Sequence, residues 1–180
     1  MPDLEIISEG TLGSGAAEWT IGSIPQDYQH LSLEIKTSST YTGANDRQAY
    51  VLVNGATGWD YGYSGMRISD NDATDAFATY FGGYIGAEFG RISTSSQSVE
   101  QRTIIKLWFG NYSQTDMKHI WLCSMVSGNY TTADNDCWAQ SAGGIGSTTA
   151  ITSITLQDAG GSGGEDFDAD TRYCLYGWKV

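Results

Sequence analysis

An all-β chain is predicted, an antiparallel β-sandwich of jelly-roll type with about eight to ten strands, in one domain spanning residues 1–180. Three observations carry that reading. Apolar and polar residues alternate with a period of two in several short segments, as a sheet with one buried face requires. The chain holds 23 glycines against 2 prolines, with abundant Thr, Ser, Tyr and Trp, which describes many turns between strands. Helical periodicity is absent over any useful length, which argues against an α/β enzyme scaffold. At 180 residues the chain is long enough to bury a real core.

In chain order, a short strand is expected at 4–8, then a Gly-rich turn and an apolar segment at 18–24. The run 30–37 alternates cleanly: Leu31, Leu33 and Ile35 face one way, Ser32, Glu34 and Lys36 the other. Residues 47–53 form a further strand, closed by the turn signal Asn54-Gly55. The Tyr- and Gly-rich stretch 60–68 reads as a hairpin or an ordered loop, the acidic stretch 69–78 as a loop or one short helix, and 84–89 as a weak strand or turn. Segments 101–109, 119–126 and 137–142 are strands. Two more close the chain. In the last, Tyr173, Leu175 and Gly177 point one way, and Cys174, Tyr176 and Trp178 the other.

Composition narrows the function classes. The formal charge of −12, from 21 acidic and 9 basic residues, opposes phosphate-mediated nucleic-acid binding, which needs a basic surface. The acidity itself reads as a solubility device. No apolar run approaches the length of a membrane-spanning helix, and the N-terminus lacks the basic and apolar regions of a signal peptide. Synthesis and use without secretion are therefore expected. Cys123, Cys137 and Cys174 are widely spaced with no CxxC pair, which excludes a zinc ribbon. Cys123 and Cys174, inside apolar runs, are expected as buried thiols.

Four stretches together resemble a family of small jelly-roll domains in virion proteins of tailed bacteriophages. WTIGSIPQDYQHLSLEI at 19–35 is similar to the family's F-x-x-I-P-Q-x-Y-x-H/D-L-x-I opening. YVLVNG at 50–55, followed by Tyr61, resembles its F-N-G-D…Y strand and turn. NYSQTDMK at 111–118 resembles Y-x-N-T-x-x-x-K. TTAITSITL at 148–156, Phe167 and TRYCLYGWK at 171–179 resemble A-I-T-S-I-x-L…F…G-S-x-x-x-L-Y-G-I-K. The chain departs from the pattern at Trp178, usually aliphatic, and at Thr171, commonly part of a Gly-Ser turn. The resemblance implies a virion structural component, often trimeric, of the fibre-tip or capsid-decorating kind.

Read on their own chemistry, Ile24-Pro25 fixes an extended turn into a strand, and Gly177 marks a close approach of a bulky residue or a neighbouring chain to the backbone. Three acidic groups offer oxygen ligands of the kind a cation loop uses: Asp70, Asp72 and Asp75; Asp134 and Asp136; Glu165, Asp166, Asp168 and Asp170. None has the Gly and bidentate Glu of an EF-hand, and all read as solvated loops. Glu34, Glu88 and Glu100 could supply a glycosidase carboxylate pair, but Glu34 lies on a polar strand face, which favours a surface role. His30 and His119 have no Cys or Ser in local reach, Ser64 lacks a nucleophile-elbow spacing, and the glycines at 160–164 lack a following Lys-Ser/Thr. No catalytic residue and no cofactor is expected. Trp59, Tyr61, Tyr63, Tyr176 and Trp178 are the candidate interface or recognition residues, since such rings bury area while keeping a polar tip wet.

The expected protein is thus a non-enzymatic bacteriophage virion component. A homotrimeric capsid decoration or cement protein on the major capsid protein comes first, since the 180 residues show no shaft or attachment segment. A tail-fibre tip or tail component recognising a host-surface glycan is the alternative. No nucleic-acid or membrane partner is expected. The place of action is the virion, assembled in the host cytoplasm.

Overall fold

The computed structural model describes residues 3–40, 47–56, 61–69, 72–81, 87–92, 102–115, 118–126, 137–146, 148–158 and 166–179. Within 47–49, 61–69, 72–81, 87–92, 118–126 and 137–142 the description is of backbone and pairing. Twelve strands and no helix occur among the described residues. They are β1 (Asp3–Thr11), β2 (Glu18–Ile21), β3 (His30–Thr37), β4 (Arg47–Val53), β5 (Tyr61–Ser69), β6 (Asp72–Phe81), β7 (Ala87–Ile92), β8 (Thr103–Gly110), β9 (Lys118–Val126), β10 (Cys137–Ile145), β11 (Ile154–Asp158) and β12 (Arg172–Lys179).

Two antiparallel sheets result, one in the order β1-β12-β3-β8-β9-β10-β5-β6 and the other β2-β11-β4-β7. Setting the hairpins β5-β6 and β9-β10 aside leaves eight strands whose pairing is nested. The first pairs with the last (β1 with β12), the second with the seventh (β2 with β11), the third with the sixth (β3 with β8) and the fourth with the fifth (β4 with β7). That is one long hairpin rolled into two sheets, the jelly roll. The two hairpins are insertions that widen one sheet from four strands to eight.

Twelve strands against an expected eight to ten is explained by these insertions. The acidic stretch 69–78, expected as a loop or short helix, lies largely in β6, and 60–68 lies largely in its hairpin partner β5. β6 ends the sheet order, and an edge strand tolerates Asp and Thr because charge there protects against unwanted pairing. Strand β7 lies a few residues beyond the expected 84–89.

The core lies between the sheets. Leu31, Leu33 and Ile35 of β3, Ile105, Leu107 and Phe109 of β8 and Leu175 of β12 meet Ile21 of β2, Val51 and Val53 of β4, and Ile154 and Leu156 of β11 in one buried cluster. Strand β8 shows the period directly, with Thr103, Ile105, Leu107 and Phe109 buried and Ile104 and Lys106 exposed between them. Each such side chain contributes about 1.5–3 kcal/mol by leaving water.

Parts of all four motif stretches meet at one end of the sandwich. Asn54 and Gly55 adopt φ of 53° and 67°, and Ala56 N–H donates to Val53 O at 2.9 Å. Positive φ at both central residues defines a type I′ turn, which suits Asn-Gly. The Asn54 side chain then clamps the loop before β11. Its Oδ1 accepts from Thr152 N at 2.8 Å and Ser153 N at 3.1 Å, and its Nδ2 donates to Ala150 O at 2.7 Å. Gln26 Nε2 donates to Ile151 O at 2.8 Å and Ile24 O at 2.9 Å. The wholly buried Tyr112 donates its hydroxyl to Pro25 O. Proline there leaves its carbonyl as the acceptor that a buried phenol must find.

The opposite end is held by buried hydroxyls. Thr37 Oγ1 and Thr171 Oγ1 lie 2.8 Å apart, and Ser39 Oγ donates to Asp158 Oδ2 at 2.7 Å. Thr171, the departure from the Gly-Ser turn, is 1% exposed and therefore needs the partner that Thr37 supplies.

Candidate functional site

Gly177 has its predicted close neighbour within the chain. A Cβ built there would lie 2.4 Å from the Tyr28 ring carbons Cγ and Cδ1. Tyr28 in turn donates to Glu5 Oε2 at 2.8 Å, and Lys179 Nζ sits 5.0 Å from the ring centroid. Lys179 also binds Glu5 at 2.9 Å. The Lys179 ammonium and the Tyr28 hydroxyl hold the Glu5 carboxyl below its ordinary range. That carboxylate pushes the Tyr28 phenol up.

The residues between these core-facing positions cover the outer face of the eight-stranded sheet, and strand register sorts them into four rows. The first runs Leu4, Trp178, His30, Gly110, and the second Ile6, Tyr176, Ser32, Trp108. The third runs Glu9, Cys174, Glu34, Lys106, and the fourth Thr11, Arg172, Lys36, Ile104. A bulge between Ile6 and Ser8 in β1 keeps Glu9 and Thr11 on this face. Beyond β8, register places His119, Trp121, Cys123 and Met125 of β9 in the same rows.

The first two rows form a continuous apolar and aromatic patch. Trp108 and Trp178 have ring centroids 5.4 Å apart, tilted by 58°, and His30 lies 5.3 Å from Trp108. Trp178 Nε1–H donates to Ser32 Oγ at 3.3 Å. At the sheet edge, Leu4 and Ile6 are 49% and 59% exposed. His30 accepts at Nδ1 from Asn111 N–H at 3.2 Å, so its remaining proton sits on Nε2. Asn111 is one of the few non-glycine residues at positive φ, 50°, and this bond ties the β8 turn to the patch.

Of the sequence-derived recognition residues, Tyr176 and Trp178 fall together on this patch. Tyr61 and Tyr63 occupy register positions opposite Ile145 and Gly143, the alternation that carries the wholly buried Ile145, and so share neither row with Trp178. Trp59 lies outside the described residues. Sequence reasoning misses Trp108 and His30 as members of this patch: each joins Trp178 only through pairing across strands, which leaves no local signal. Trp178 does carry one, as a departure from the family pattern.

The two described carboxylates of the glycosidase reading lie in different sheets. Glu34 belongs to the eight-stranded sheet and Glu88 to the four-stranded one. Glu34 is engaged by Lys106 Nζ at 2.6 Å. Glu100, Asp70, Asp134, Asp136 and Glu165 lie outside the described residues. Asp72 and Asp75 lie in β6 rather than in a loop, with Asp75 opposite Arg67. Asp168 and Asp170 are bound by Arg102 Nη2 at 3.5 and 3.2 Å, and Ser38 Oγ donates to Asp168 at 3.1 Å. Among the described residues no group of three His, Cys, Asp or Glu is placed to hold a metal ion. Cys174, expected buried, is half-exposed because it takes the outward parity of β12. Its hydrogen bond and charge push the adjacent Tyr176 phenol up to about 12.

No family model and no curated protein matches the chain. Solved structures similar to it include the SPRY domain of human HERC1, 11% identical over 85% of this chain and 89% of that one, with a TM-score of 0.27. The exoplasmic/lumenal domain of VIP36, in a Ca2+/Man3GlcNAc-bound form, is 10% identical over 91% and 88%, with a TM-score of 0.31. The CBM2 module of the evolved Dit of Lactobacillus casei BL23 phage J-1 is 8% identical over 96% and 76%, with a TM-score of 0.26. The similarity to carbohydrate-binding and lectin-like β-sandwiches is weak, and function rests on the chain's own residues.

Proposed function

We propose that this chain is a non-enzymatic bacteriophage virion protein, a trimeric building block that decorates and stabilises the head by docking on the major capsid protein. The observation that carries the docking is the outer-face patch of Leu4, Ile6, Tyr176, Trp178 and Trp108. Largely exposed aliphatic side chains beside Trp and Tyr are what a protein–protein contact uses. Strand β1 ends the sheet order, and an assembled particle would cover that edge, which otherwise invites uncontrolled pairing. The virion setting rests on the four motif stretches quoted above. A binding role is supported by the outward row of rings, while Glu34, the carboxylate candidate on this face, is engaged by Lys106.

The test is addition of the protein to capsids stripped of accessory proteins, with light scattering of the free protein. A trimer that binds the capsids and raises their resistance to heat is expected, and Leu4→Glu with Ile6→Glu should abolish binding without unfolding the domain. A strict monomer, or binding indifferent to both changes, counts against the reading.

A second reading, a tail component that recognises a host-surface glycan, is favoured by the Trp108, Trp178 and His30 rings beside Ser32. A glycan-array signal abolished by Trp178→Ala would support it.

A further inference from the structure

Both histidines of the chain fall in the first row of the outer face, His30 on β3 and His119 on β9, with Gly110 of β8 between them. Two strand spacings separate them, about 9.5 Å. Histidine is the side chain that changes charge between about pH 5 and 8, so the histidine charge of this chain lies wholly in that row. The rest of the first two rows is aliphatic, aromatic, Gly or Ser, with no Asp, Glu, Lys or Arg. The nearest carboxylates on this face, Glu9 and Glu34, stand in the third row with Cys174, where Lys106 holds Glu34 at 2.6 Å. On the opposite face of the sheet Glu5, Tyr28 and Lys179 bind one another, and Asp27 lies in the bend that leads into β3. A proton gained by either histidine therefore puts a positive charge among apolar groups, with no carboxylate in its row or the next. His30 is also built in its neutral form. Its Nδ1 accepts from Asn111 N–H at 3.2 Å, which an imidazolium, a donor at both nitrogens, cannot do. Asn111 opens the turn after β8, and Gln114 N–H closes it on Asn111 O at 3.1 Å. Protonation thus sets two N–H groups against each other where that turn meets the patch.

We propose that docking on this face is linked to proton loss: the partner covers neutral His30 and His119, and acid releases it. That linkage rests on the reading of the outer face as the docking surface and adds its control by pH. A partner seated over Leu4, Trp178 and Trp108 takes the histidine row out of water with them. Burying a charge that has no counter-ion is costly, so the protonated face binds worse than the neutral one. Affinity therefore falls as pH falls through the histidine range, by up to about tenfold per pH unit for each proton that must leave.

Binding of the whole protein to capsids stripped of accessory proteins, measured at about pH 7.5 and about pH 5, tests this beside a variant carrying His30→Gln and His119→Gln. The wild type should bind about tenfold or more weaker in acid. The double variant, whatever its affinity at neutral pH, should bind alike at both. In the free wild-type protein, the protection of the Asn111 amide from hydrogen exchange should fall in acid as His30 gains its proton. Equal binding at both pH values, tighter binding in acid, or an acid loss that survives in the double variant overturns the linkage and leaves the docking reading standing. No docking at either pH removes both. An Asn111 amide protected alike at both pH values overturns the part assigned to His30.

Discussion

Replacing Gly177 by Ala separates a glycine needed for space from one needed for conformation. Gly177 is not among the residues at positive φ, so alanine is allowed by the backbone. The obstacle is the Tyr28 ring, whose Cγ and Cδ1 would lie 2.4 Å from the new Cβ and Cε1 2.7 Å away. Carbon contacts settle near 3.5–4.0 Å, so a gap of about 1 Å must open. Cγ is the ring atom nearest the Tyr28 backbone, so rotating the far end of the ring does not open it. The whole ring must shift, against its bond to Glu5 and its contact with Lys179. Overpacking of this kind costs about 1–3 kcal/mol. Replacing a strand glycine returns about 0.5–1 kcal/mol of chain entropy. The net loss is about 1–2 kcal/mol, or roughly 2–8 °C in Tm for a domain of this size.

In a Tyr28→Ala background the ring is gone and only the entropic gain remains. Gly177→Ala should then be neutral or stabilising by about 0.5 kcal/mol. The coupling from a double-mutant cycle in urea is thus about 1.5–2.5 kcal/mol, within the range for residues in contact. Gly22→Ala, where an added Cβ would meet nothing within 4 Å, is the control and should not destabilise. A single Gly177→Ala variant as stable as the parent, or one equally costly with and without Tyr28, refutes the reasoning.

Asn54→Ala should destabilise by about 2–3 kcal/mol, since it removes the clamp on 150–153 and puts Ala at positive φ, whereas Asn54→Gly should recover about 1 kcal/mol of that loss; urea melts distinguish them. Glu5, whose folded pKa is lowered by Lys179 and Tyr28, contributes stability that is present above its unfolded value and lost as pH falls through the folded one. Glu5→Gln should therefore flatten the acid limb of a stability–pH profile. Tyr176 should ionise at about 12 by ultraviolet titration, and Cys174→Ala should bring it back towards the ordinary value near 10.

Much of the sandwich is legible in the sequence because its central strands carry one buried face each. The alternation of Leu31, Leu33 and Ile35 with Ser32, Glu34 and Lys36 locates β3 to the residue. The same parity argument places Tyr176 and Trp178 outward and Leu175 inward on β12. It fails for β6, whose Asp and Thr residues read as a loop, because the edge of a sheet needs backbone pairing on one side only and imposes little on composition. Burial of Cys174 fails for another reason: its apolar surroundings suggest a buried thiol, although the residue's parity already points out. The site is legible only in fragments. Trp178 stands out as a departure, but Trp108 and His30 come from 70 or more residues away along the chain, and only the order β12-β3-β8 makes them neighbours.

The motifs and the patch also answer different physical demands. Ile24-Pro25-Gln26, Asn54, Tyr112 and the loop 150–153 are joined by hydrogen bonds at one end of the sandwich, each satisfying a backbone group that closing the roll would otherwise strand. Substitution there is expected to fail as folding, before any binding can be measured. The outer face carries no such obligation: Trp178 could be aliphatic and the roll would still close, because its ring lies over Ser32 and Trp108 rather than in the core. A resemblance built from the first set therefore speaks to how this sandwich closes. The proposed binding rests on the second, on the rings of Trp108 and Trp178.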